Sequence, residues 1–200
     1  MREVVLAMMT TVDGRLDDPG AWVTGVGDDL FTDIERNFEE FDTILIGTTT
    51  YAEMVAYWPA AEEGGDAFAG SSANVNQHMA RKMNAYRKYV FSRREPQGTL
   101  EWNNAEQVRV GDDQDIVTFV HELKAQPGGK IHLAGGARLA QTFARLGLVD
   151  EFDFKVYPVV SGGARWFDGL DIGLDLDMVG VTPYENGVIG VRYRPASKTS

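Results

Sequence analysis

Lys130-Ile131-His132-Leu133-Ala134-Gly135-Gly136-Ala137-Arg138-Leu139-Ala140 is the stretch whose reading decides the fold. Ile131 to Ala134 is short, apolar and compatible with a strand. Two glycines follow, and then Leu139, Phe143 and Leu146 recur at helical spacing. The pattern predicts strand, tight glycine turn, helix. Glycine lets a backbone approach a ligand closely, and the first helical amides are unpaired at the positive end of the helix dipole. Such a turn can hold a phosphate. A Gly-Gly turn also serves tight packing alone, so the anion reading needs support from other stretches.

Working outward, 200 residues suit one domain that buries roughly 70 % of the unfolded chain's surface. A hydrophobic content of 44 % and an aromatic content of 10 % belong to a globular chain. The formal net charge of −11 argues against partners such as nucleic acid or an anionic membrane, which call for a basic face. An anionic ligand therefore requires local concentration of arginines and helix N-termini. Without cysteine, disulfides, thiolate catalysis and cysteine metal sites are excluded, and no metal site is expected. No run approaches the roughly 20 apolar residues that span a bilayer, so a cytoplasmic protein is expected.

Val4 to Met9 reads as a buried strand, followed by Thr10-Thr11-Val12-Asp13-Gly14 with Asp-Gly as a turn. Trp22 lies beside the loop Asp17-Asp18-Pro19-Gly20, either as core or facing a ligand. Asp28 or Asp29 can N-cap a helix to about Glu40, with Leu30, Ile34, Phe38 and Phe41 as its apolar stripe. Thr43 to Ile46 is a second strand. It turns at Gly47-Thr48-Thr49-Thr50-Tyr51 into another helix, with Thr50 as candidate N-cap. Residues 57 to 73 read as a loop before a helix from about Asn74 to Ala85. Lys88 to Phe91 is a third strand ending in Ser92-Arg93-Arg94, whose arginines are surface charge or phosphate partners.

Leu100 to Trp102 and Gln107 to Val110 are short strand candidates. Asp112-Asp113-Gln114-Asp115 lacks the glycine and terminal glutamate of a calcium loop and reads as a helix cap. Phe152, Phe154 and Val156 alternate with Asp153, Lys155 and Tyr157, as in a strand with two unlike faces. Glu185-Asn186-Gly187 joins two final strands into a hairpin. Strand-helix units followed by adjacent strands predict an α/β sandwich with a mostly parallel sheet and an antiparallel C-terminal hairpin. Ligands in such sheets bind beyond the carboxyl ends of the strands, where Thr11, Gly47, Ser92 and Gly135 all fall.

Taken in order, these motifs resemble the dihydrofolate reductase-like proteins. They are most similar to the C-terminal reductase domain of the bifunctional riboflavin-biosynthesis deaminase-reductases. Thr11-Val12-Asp13-Gly14 resembles the family's Ser-x-Asp-Gly, and Gly47-Thr48-Thr49-Thr50-Tyr51 its Gly-Arg-x-Thr-Tyr. Gly135-Gly136 resembles its pyrophosphate turn, often cis, and Leu148 to Phe167 its late signature. The resemblance implies a three-layer α/β/α fold, NADPH, hydride transfer to a small-molecule substrate, and a homodimer supported by the Phe152 strand. It implies cofactor contacts from Gly47, Thr50, Ser92, Arg93, Gly135 and Gly136, and from the amides of Ala137, Arg138 and Leu139. Substrate contacts are expected from Thr11, Asp13 and Trp22. A proton donor is expected on the first helix: Asp29, with Asp28 or Asp33 as alternatives, unless all three only cap or solvate that helix. Thr48 stands where the family usually has arginine, which removes one phosphate-pairing cation. The absence of cysteine also excludes the zinc deaminase partner domain, which needs Pro-Cys-x-x-Cys.

Overall fold

The computed structural model describes residues 1–64, 73–95 and 98–197. Its strands are β1 (Val4–Thr11), β2 (Phe41–Gly47), β3 (Arg87–Ser92), β4 (Ala105–Arg109), β5 (Lys130–Gly135), β6 (Glu151–Tyr157), β7 (Leu176–Pro183) and β8 (Ile189–Pro195). Its helices are α1 (Asp28–Phe38), α2 (Thr48–Glu62), α3 (Ala73–Ala85), α4 (Asp113–Ala125) and α5 (Ala137–Arg145). The eight strands form one sheet in the order β4-β3-β2-β5-β1-β6-β8-β7. All pairs from β4 to β6 are parallel, and β8 and β7 close the edge antiparallel.

Alternation along the central strands sorts two cores. Val4, Leu6, Leu45, Ile131, Leu133, Phe152 and Phe154 point to one face, covered by α4 and α5 through Ile116, Val120, Phe143 and others. Val5, Ile44, Ile46 and Tyr157 point to the other, against Leu30 and Phe31 of α1 and Met79 and Met83 of α3. The fold is therefore the expected three-layer α/β/α sandwich. Among the described residues, no helix is long and apolar enough to cross a membrane.

Four local expectations change. Helix α2 continues to Glu62 through Pro59, because Ala61 is buried and Trp58 packs against the core; residues 65 to 72 of the expected loop lie outside the described residues. Residues 100 to 102 form no strand; Trp102 is buried, with its indole N–H donating to Asn84 Oδ1 at 2.7 Å. Gly27, not Asp28 or Asp29, is the N-cap of α1, and Gly47, not Thr50, that of α2. Phe152 and Phe154 are enclosed in the chain's own core beside Trp166, so they cannot form the face of a dimer. The Asp112 cap holds: its carboxylate accepts the Asp115 amide at 3.1 Å, and Asp115 reciprocates.

Candidate active site

Helices α2 and α5 follow adjacent parallel strands and begin at the same rim of the sheet. Neither Gly47 nor Gly136, their N-caps, is a residue whose side chain could satisfy the first amides. The two junctions nearly touch: a Cβ on Gly47 would stand 3.7 Å from the Gly136 nitrogen. A Cβ on Gly136 would come within 2.9 Å of Thr50 Oγ1, so only glycine leaves that hydroxyl and the α5 amides room to face one ligand. Gly135 lies at φ +91°, where a side chain is strained, and the Gly135-Gly136 peptide is cis. The Leu139 amide donates to Gly136 O at 3.0 Å, so of the three expected amides only those of Ala137 and Arg138 stay open. That is a correction to the Leu139 assignment.

Arg93, Arg94 and Arg138 form no ion pair among the described residues, whereas Arg109 is tied to Glu95 at 2.9 Å and Arg145 to Asp113 at 2.7 Å. Ser92 Oγ accepts the Arg94 amide at 3.0 Å and keeps its own proton for a ligand. The rim opens into a cleft of about 1710 Å³, well beyond the roughly 300–1,000 Å³ of a single small-molecule pocket. Gly47, Thr50, Ser92, Arg93, Gly136, Ala137, Arg138 and Leu139 line it; Gly135 sits just behind.

The other end of the cleft lies between α1 and the strands β5, β1 and β6. Phe31, Ile34 and Phe38 face it from α1, and Ala7, Met9, His132, Asp153 and Lys155 from the sheet. Trp22 lines it too; it is buried, its indole N–H donates to Asp17 O at 2.9 Å, and its ring meets Tyr157 edge-on. The other expected substrate residues do not line the cleft. Thr11 Oγ1 accepts the Arg15 amide at 3.0 Å and donates to Asp13 Oδ1 at 2.5 Å. Asp13 in turn accepts the amides of Gly162 at 2.9 Å and Ser161 at 3.3 Å. The Thr11 hydroxyl and those amides hold the Asp13 carboxyl down at about 2, so it stays charged as a fastener between two loops.

The expected acid is also displaced. Asp29 Oδ1 accepts the Leu30 amide at 2.7 Å, and Oδ2 accepts the Glu185 amide at 2.8 Å. It pins the β7–β8 turn to α1 rather than facing the cleft. Asp28 does not line the cleft either. Asp33 stands behind Lys155: burial pushes its carboxyl up, but the Tyr184 hydroxyl, Lys155 and Arg36 outweigh that and keep it below the usual range. It is a carboxylate held by Tyr184, Lys155 and Arg36, and it does not line the cleft. Sequence reasoning missed Asp153, Lys155 and His132. The signal for the first two was two charges at strand period in a stretch buried on both faces.

Comparison with known proteins shows the family and the fold. The sequence model described as the RibD C-terminal domain matches residues 2–190. The uncharacterized protein YyaP of Bacillus subtilis is 30% identical over 196 residues, covering 96% of this chain and 94% of its own. A Shewanella sp. PV-4 protein named for riboflavin biosynthesis superposes with a TM-score of 0.72 at 17% identity, over 98% of this chain and 100% of that one. A dihydrofolate reductase of Enterococcus faecalis, solved with NADP(H), superposes with a TM-score of 0.62 at 12% identity, over 98% and 97% of the chains. The fold is dihydrofolate reductase-like.

Proposed function

The chain belongs to the RibD C-terminal domain family, and from that premise we propose that it is an NADPH-dependent reductase of a small heterocyclic or carbonyl-bearing metabolite. The observation that carries the reading is the meeting of two uncapped helix N-termini at Gly47 and Gly136, in a cleft also lined by three arginines that form no ion pair among the described residues, on a chain of net charge −11. Free cations concentrated on so acidic a protein fit a polyanionic ligand. In this reading the amides of Ala137 and Arg138 and the Thr50 hydroxyl hold the pyrophosphate, and Ser92 with Arg93 selects the 2′-phosphate. Arg94 and Arg138 replace the cation missing at Thr48. When bound, the cofactor supplies a hydride to the carbon of a C=N or C=O group, whose heteroatom takes a proton. The residues of the α1 side orient that carbon and exclude water with Trp22, Phe31 and Phe38.

One observation favours a second reading. Among the described residues, α1 presents only Phe31, Ile34, Asn37 and Phe38 to the cleft, and no carboxylate. Nucleotide binding without turnover, as a sensor, is consistent with that surface. The exposed Met178, Val179, Val181 and Ile189 of β7 and β8 are the face this reading assigns to a homodimer.

Titration with NADPH and NADH, followed by nicotinamide fluorescence, tests the reading. NADPH should bind more tightly than NADH. Arg93→Ala should weaken NADPH about tenfold, the worth of one charge-assisted hydrogen bond of about 1.5 kcal/mol. A folded protein that binds neither nucleotide refutes the cofactor assignment. NADPH binding without consumption across pterin, pyrimidine and carbonyl substrates leaves the sensor reading in its place.

A further inference from the structure

Asp153 and Lys155 share one face of β6 and line the deep end of the cleft, yet are 7% and 6% exposed. Lys155 Nζ lies 2.9 Å from Asp153 Oδ1 and 3.3 Å from Asp33 Oδ2, with the Tyr184 ring 5.9 Å away. The backbone makes room for this group. On β1, Asp153 is level with the small Ala7, and on β8 Lys155 is level with Gly190. A Cβ on Gly190 would stand 3.0 Å from the Tyr184 hydroxyl and 3.4 Å from Lys155 Nζ.

Asp33 is fully engaged, by the Tyr184 hydroxyl at 2.5 Å, by Asn37 Nδ2 at 3.4 Å, by Arg36 and by Lys155. Asp153 is not. Its Oδ2 accepts no hydrogen bond from any described residue, and Lys155 directs two contacts at carboxylates and has a third donor left. Among the described residues the one buried side-chain polar atom without a partner is His132 Nδ1, so the free Asp153 oxygen is open to the cleft, where a ligand can take it. Two carboxylates beside one ammonium reject an anionic group here. They call for a neutral edge that offers an N–H to Asp153 and a carbonyl oxygen or ring nitrogen to Lys155. Phe31, Ile34 and Phe38 opposite supply apolar walls for the faces of a flat ring.

We infer that Asp153 and Lys155 are the specificity-determining pair of the cleft, reading the lactam edge of a planar heterocyclic substrate. The inference rests on the reductase reading for the word substrate, but its test does not depend on NADPH. Lumazine and uracil, which carry an N–H beside a carbonyl, and 1,3-dimethyllumazine, which has the same ring with both lactam nitrogens blocked, are titrated into the protein. Lumazine is followed by its own fluorescence and uracil by calorimetry, each with and without saturating NADPH. Lumazine and uracil should bind, and the dimethyl compound should bind at least tenfold more weakly. Asp153→Asn, with folding checked by circular dichroism, should lose at least tenfold toward lumazine, with NADPH titration as its internal control. Equal binding of the dimethyl compound to the unaltered protein overturns the inference without needing any variant to fold. So does a folded protein that binds neither lactam, or a folded Asp153→Asn that binds lumazine normally. Lactam discrimination in a protein that fails to bind NADPH supports this pair and overturns only the cofactor reading.

Discussion

Replacing His132 by leucine should flatten the acid dependence of stability. The ring is 5% exposed, packed against Phe38 and Phe41 at centroid distances of 4.9 and 5.4 Å. Its Nε2 lies 3.3 Å from Ala7 O, a carbonyl that can only accept, so Nε2 carries the proton and the neutral ring has an open Nδ1. That Nδ1 is buried without a hydrogen-bond partner among the described residues. Burial pushes the imidazole from 6.5 down to about 4, against the smaller opposing pull of the Ala7 carbonyl. Between those values the unfolded chain binds a proton that the folded chain refuses, so stability falls as pH drops. The full linkage is about 3 kcal/mol, of which about 2 kcal/mol is lost between pH 7 and pH 5. Urea unfolding of the natural protein and of His132→Leu at both pH values measures it. Other carboxylates contribute equally to both proteins, so the difference between the two pH losses isolates His132. It should come to about 2 kcal/mol, read as a midpoint of His132→Leu that moves up relative to the natural protein's by about 1 M urea between pH 7 and pH 5. Parallel losses in both proteins would refute the claim that the ring is held neutral.

Two further substitutions probe the frame of the site. Asp112→Ala removes one half of the reciprocal cap of α4 and should cost about 1 kcal/mol in chemical denaturation. Gly129→Ala would place a Cβ 2.5 Å from the Glu40 carbonyl oxygen, which already accepts the Lys130 amide at 2.7 Å. Neither backbone can yield alone, so a loss of about 1–3 kcal/mol is expected, read as a lowered melting temperature.

The layered fold was legible because its signals are local and repeated. Apolar strands, glycine turns and helical stripes at β1, β2, β3 and β5 each point to the same architecture, and the Asp112 cap is contained within four residues. The errors have long-range causes. Pro59 and the small residues around it read as a loop, but tertiary packing of Trp58 and Ala61 carries α2 past them. Asp29 sits near the expected place for an acid, yet the Glu185 amide that holds it lies 156 residues away. The two-faced character of β6 was visible. That its polar face meets Asp33 of α1 and Tyr184 beyond β7 was not, since no spacing encodes those contacts. The rim of phosphate-binding candidates was read from turns, whereas the open state of Arg93, Arg94 and Arg138 depends on where every acidic side chain ends up.

The fastening at Asp13 bears on how the cleft exchanges its contents. Arg15 holds Ser161 Oγ at 2.7 Å and Asp17 at 2.9 Å, and Asp17 accepts the Ala164 amide at 3.1 Å. With the two amides on Asp13, these bonds stitch residues 11–17 to residues 161–164 across the mouth where Leu16, Asp17 and Ala164 line the opening. The two segments therefore behave mechanically as a single flap with redundant rivets. Breaking one bond leaves the others holding the two segments in register. Opening on this side therefore requires several bonds to break together, and removing one rivet, as in Asp13→Ala, should speed hydrogen exchange of the Ser161 and Gly162 amides.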